Sequence, residues 1–127
     1  MQYGFSKSVN MPFDAAVEKV TAELQKEGFG VLTTIDVQET LKKKLNVDFK
    51  KYKILGACNP PFAHKALQAE EEIGLLLPCN VVVYEKEGKT AISIFDPMVM
   101  TRVLENPAMT PIAQEVRQRL ERVLAGV

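Results

Sequence analysis

Apolar positions along this chain switch between a period near two and a period near 3.6, and each switch marks an element. Residues Tyr3 to Val9 alternate and predict a first strand. Phe13, Val17, Val20 and Leu24 then recur at helical spacing, with Pro12 suited to a first turn and Asp14 to its positive end. Gly28 is placed to stop that helix. Phe29 to Ile35, apolar and β-branched, predicts a second strand. Asp36 is positioned to cap a short helix whose stripe is Val37, Leu41 and Leu45, leaving Lys42, Lys43 and Lys44 mostly outside.

The second half repeats the alternation of elements. Tyr52 to Cys58 predicts a third strand, and Asn59 a cap for a helix that begins Pro60-Pro61, runs to about Glu72 and ends by Gly74. As that cap, the Asn59 oxygen would accept the N–H of Phe62, since neither proline has one. Cys79 to Tyr84 and Thr90 to Phe95 flank the polar, glycine-bearing stretch Glu85 to Lys89, which reads as a hairpin connection. Asp96-Pro97 closes that strand and opens a helical turn, and Ile112, Val116, Leu120, Val123 and Leu124 form the apolar face of a final helix. Strands and helices interspersed with a hairpin give an α+β class with a largely antiparallel sheet, in a single domain over residues 1–127.

Composition narrows the function classes. Sixteen basic and sixteen acidic residues leave no formal net charge, which argues against a nucleic-acid or membrane-surface partner and favours self-association. No apolar stretch has signal-peptide or membrane-spanning length, so a cytoplasmic location with reduced cysteines is expected. Phosphate-cradling and dinucleotide-binding glycine motifs are missing, as is the nucleophile elbow, and no cofactor is expected.

The chemistry-bearing residues gather around the two cysteines. Cys58 and Cys79 are each followed by asparagine, Asn59 and Asn80, and each lies at a strand edge. A thiol just before a helix N-terminus is biased toward thiolate, which would make Cys58 reactive; a buried, inert cysteine is the plainer alternative. Were the two strands neighbours, Cys58 and Cys79 could form a redox pair or share a ligand. Adding His64 would give three metal ligands and an open position, but no paired-cysteine or paired-histidine spacing accompanies them, so no metal site is expected. The lysines at 42, 43, 44, 50, 51 and 53, near Phe49 and Tyr52, read as a solvated face. Met98, Met100 and Met109 suit an adaptable cleft, a subunit contact or simple core filling. Together with an apolar sheet edge beyond Val83, they favour a homodimer.

The chain also resembles the bacterial and archaeal domain-of-unknown-function 302 family. The likeness is strongest through Tyr52-Lys53-Ile54-Leu55-Gly56-Ala57-Cys58-Asn59-Pro60, Ile73-Gly74-Leu75-Leu76-Leu77-Pro78-Cys79 and Val81-Val82-Val83-Tyr84, with Gly28-Phe29 and Asp96-Pro97 as further matching positions. That resemblance implies a TATA-binding-protein-like fold, a curved antiparallel sheet packed against a long C-terminal helix, often as homodimers. It transfers no substrate and no reaction. The expectation is a homodimeric domain with a cleft for a small or sulfur-containing ligand, bordered by Cys58, Asn59, Cys79 and Asn80. A thiol-dependent redox or sulfur-transfer enzyme and an interaction module with structural cysteines are the alternatives.

Overall fold

The structure, a computed structural model, describes residues 2–127. Five strands, β1 (Gly4–Val9), β2 (Gly30–Asp36), β3 (Tyr52–Cys58), β4 (Cys79–Lys86) and β5 (Lys89–Phe95), form one antiparallel sheet in the order β1-β5-β4-β3-β2. Between and after them lie α1 (Phe13–Lys26), α2 (Val37–Leu45), α3 (Pro60–Ala69), α4 (Val99–Val103) and α5 (Met109–Ala125). The α+β class expected from the alternating periods is the one found.

Pleating sorts the strand residues onto two faces. Leu55, Ala57, Cys79, Val81, Val83, Ile92 and Ile94 are buried on one of them, in one core with Val20 and Leu24 of α1 and Val116, Leu120 and Val123 of α5. On the opposite face Tyr52, Ile54, Val82, Tyr84 and Phe95 are only half-buried. Helix α1 ends as its sequence requires. Gly28 takes φ +86°, and the N–H groups of Gly28 and Phe29 donate to the carbonyls of Gln25 and Leu24, closing a Schellman motif that a side chain at position 28 would strain.

Two expectations need correction. The third helix stops at Ala69, and Gly74 lies inside a separate 3-10 turn, Glu71–Leu76, whose Ile73 is fully buried. At that end the Asn106 amide donates to the Ala69 carbonyl at 2.7 Å, satisfying an acceptor that the helix leaves free. Val83 borders no sheet edge, because β4 is the central strand and Val83 is paired with Lys53 on one side and Ile92 on the other. Of the readings open to the methionine cluster, core filling holds for Met100 and Met109, which are buried.

Helix α2 forms with the cap expected of it, the Glu39 N–H donating to the Asp36 carboxylate at 3.0 Å. Yet none of its residues is buried, and Leu45 is 66% exposed. Among the described residues no helix is long and apolar enough to cross a membrane.

Candidate functional site

Beyond the ends of β3 and β4 the chain forms a half-open cavity of about 340 Å3. Ala57, Cys58, Pro78 and Cys79 form its sheet wall, and Leu32 and Thr33 of β2 contribute beside them. Phe62, Ala63, Ala66 and Leu67 of α3 face Met109, Ile112, Ala113 and Val116 of α5 across it, with Phe29, Leu77, Pro97 and Met100 completing the lining. No charged side chain lines it. The space exists because small residues meet there: Ala63 and Ala66, three apart on one face of α3, and Ala113 on α5. That spacing of alanines was the sequence signal available for the cavity, and the cysteine-centred reading did not use it.

The local fold at the sheet wall depends on Gly56. A Cβ there would collide with the Thr33 hydroxyl and lie 2.8 Å from Cγ of Pro78, so only glycine lets β2 and the segment before β4 close over β3. Register places Cys79 opposite Ala57, and Cys58 therefore stands one residue further along its strand. Both cysteines are free and both border the cavity. Cys79 is buried, 6% exposed. Burial, helped by the neighbouring Cys58, pushes its thiol up to about 12, so it stays protonated at neutral pH. Cys58 is half-buried.

Asn59 borders the same cavity and is 7% exposed, but it does not cap α3 with its side chain. Its amide instead donates to the carbonyl of Glu27 at 3.2 Å, and Arg119 of α5 donates to the same oxygen at 3.0 Å. Glu27 follows the last turn of α1, where carbonyls lack partners within the helix, and a buried amide donor is worth more there than at a helix start whose first two residues are prolines. The absent side chain of Gly28 gives Asn59 its approach, since a Cβ at position 28 would stand 3.1 Å from the amide nitrogen. Arg119 also lies over the Phe62 ring, 5.1 Å from its centroid, and Arg122 bonds the Glu27 carboxylate, holding it below the usual carboxylate range. Three helices are thus tied together at one end of the cavity.

The remaining sequence candidates fall elsewhere. Asn80 is exposed and sits in a groove on the opposite sheet face with Tyr3, Phe49, Lys50, Tyr52 and Tyr84, because one step along a strand reverses the side chain's direction. His64 is exposed on α3 and does not line the cavity. Among the described residues no group of three His, Cys, Asp or Glu side chains is placed to hold a metal, so Cys58, His64 and Cys79 do not assemble as ligands. Of the basic cluster, Lys50 lies 4.9 Å from the centroid of the Tyr84 ring, and Tyr84 stacks on Tyr52 at 5.2 Å. Asp36 caps α2, and Asp96 accepts the Met98 N–H and pairs with Arg117 at 2.8 Å.

Comparison with known proteins adds a family. The family model described as "Domain of unknown function DUF302" matches residues 5–127. A crystal structure of an uncharacterised conserved DUF302 protein from Bacillus stearothermophilus is similar over 98% of each chain, with 32% sequence identity and a TM-score of 0.91. No curated protein matches the chain.

Proposed function

The chain belongs to the DUF302 family, and from that premise we propose that it is a homodimeric domain that binds a small apolar molecule in the cavity beside Cys58 and Cys79. The observation that carries this reading is the cavity of about 340 Å3 with no charged side chain on its wall. Ligand pockets commonly begin near 300 Å3, and an apolar cavity of about 150 Å3 already holds benzene. At ~30 Å3 for each water-sized group, the space takes roughly ten methylene-sized groups. A thiol-dependent redox reaction is less well supported, because a resolving cysteine must reach its thiolate and burial keeps the Cys79 proton on.

Titration with the neutral fluorophore N-phenyl-1-naphthylamine tests the binding. Fluorescence should rise saturably and be reversed by 1-decanol. Ala66→Phe directs a ring into the cavity from a buried position and should weaken binding about tenfold or more, with the melting temperature kept or raised. No saturable rise, or unchanged affinity in Ala66→Phe, would leave the interaction-module reading in its place.

For the dimer, the supporting surface is the half-buried sheet face formed by Tyr52, Ile54, Val82, Tyr84 and Phe95, which no helix of this chain covers to the extent that α1 and α5 cover the other. Light scattering should return twice the chain mass, and Val82→Glu should return a folded monomer. A parent protein that is monomeric across a broad concentration range would rule the dimer out.

A further inference from the structure

We propose that the side-chain oxygen of Asn59 anchors the ligand's head group, so that the cavity selects a neutral hydrogen-bond donor, a medium-chain aliphatic alcohol, over an ether, ketone or acid of similar length. The proposal rests on the apolar-ligand reading above and names the ligand's chemical class. Its first observation is the state of the Asn59 side chain. The residue is more than nine-tenths buried and borders the cavity. Its amide nitrogen is committed to the Glu27 carbonyl at 3.2 Å, and because that carbonyl can only accept, nitrogen and oxygen are fixed in their places. The oxygen has no such partner. No N–H of α3 donates to it, the two prolines that open the helix having none, and no side-chain hydrogen bond among the described residues ends on it.

A second observation gives the direction of that oxygen. Among the described residues, every side-chain nitrogen or oxygen sealed from solvent has a hydrogen-bond partner. The unpartnered Asn59 oxygen is therefore not sealed in. It reaches open space, and the hollow that Asn59 borders is the cavity. The planar amide agrees, since its nitrogen points to the end of α1 beside Gly28 and its oxygen diverges from that side.

The rest of the wall sets the class of ligand. No lysine, arginine or histidine lines it to balance a carboxylate or phosphate, and no acidic side chain lines it to hold an ammonium. A ketone, ester or ether would bring a second acceptor against the first. The other lining side chains are apolar or thiols, apart from Thr33, which is exposed. A hydroxyl supplies the missing proton while its alkyl chain fills the apolar space. Room for roughly ten methylene-sized groups suits a chain of about ten carbons.

Competition of 1-decanol and its isomer 1-methoxynonane against N-phenyl-1-naphthylamine on the full chain provides the test. The two contain the same atoms, and the ether leaves water more readily, so burial alone ranks the ether first. The anchor ranks the alcohol first, by about fivefold or more in the concentration that halves the fluorescence. Asn59→Leu, checked for folding by circular dichroism, should still bind the fluorophore and should reverse the order. A readout that needs no variant is the carbon-13 resonance of Asn59 Cγ in asparagine-labelled chain, which should move downfield with the alcohol and stay in place with the ether. An ether that competes as well as the alcohol, a preference that survives Asn59→Leu, or an Asn59 resonance that ignores the alcohol would each overturn the anchor. Failure of the fluorophore and decanol to bind would overturn the apolar-ligand reading itself, whereas binding without a preference for the hydroxyl overturns only the role of Asn59.

Discussion

Raising the pH from 9 to 11 should cost the parent chain about 2 kcal/mol more stability than it costs a Cys79→Ala variant. The folded chain holds the Cys79 thiol at about 12 against an ordinary 9.0, with burial as the leading cause and Cys58 adding to it. Between those values the unfolded chain has released the proton and the folded chain has not. The unfolded state therefore binds fewer protons, and stability falls as pH rises. The contribution is complete below pH 9 and is lost as pH climbs through about 12. At about 1.4 kcal/mol for each fully titrating unit, and with the unfolded thiol only half-titrated at pH 9, the two units give the expected difference of about 2 kcal/mol. Denaturant unfolding of both proteins at pH 7, 9, 10 and 11, with thiols kept reduced, measures it, and lysine and tyrosine titration cancels in the comparison. Parallel pH curves for the two proteins would show that Cys79 is not desolvated and would remove it from the cavity wall.

Gly56→Ala should destabilise the chain by about 2 kcal/mol, and Gly56→Val by more, the scale of overpacking in a filled core. Two neighbours meet the added methyl. The Thr33 hydroxyl can rotate to another rotamer, whereas the Pro78 ring is rigid and moves only with the backbone that leads into β4. Alanine also narrows the unfolded ensemble, which returns roughly 0.5 kcal/mol and sets the net figure below the steric cost. Combining Gly56→Ala with Thr33→Ala separates the two contacts. If the double variant keeps most of the loss, Pro78 is the obstacle and the segment before Cys79 is fixed by it. A Gly56→Ala protein as stable as the parent would mean that β3 tolerates a side chain here, and the packing that shapes the cavity's sheet wall would need another explanation.

The elements themselves were readable from local pattern. Tyr52 to Cys58 is a strand over that whole span, Asp36 caps α2, Gly28 stops α1 with a positive φ, and Val116, Leu120 and Val123 are the buried stripe of α5. Each of these depends on groups within a few residues of one another, so periodicity and turn chemistry contain the answer. The family was legible for a related reason, since the strings around Cys58 and Cys79 carry it. Cavity and partners were not legible, because they depend on groups far apart in sequence. Asn59 occupies the helix start that its type suggests, yet its amide turns to Glu27, 32 residues earlier, and shares with Arg119 a carbonyl that the end of α1 leaves free. Helix α3 ends where Asn106 meets it, 37 residues away. Asn80 and Cys79 are neighbours in the chain and stand on opposite faces of the sheet, one in an open groove and one in the cavity wall. The alanine spacing on α3 was a local signal, but that those alanines face Ala113 of α5 across a cavity is a meeting of two helices distant in sequence. Local sequence sets backbone conformation at a cost felt within a turn or a strand. Which polar groups are satisfied, and where the packing leaves room, is settled only when distant segments compete for the same space.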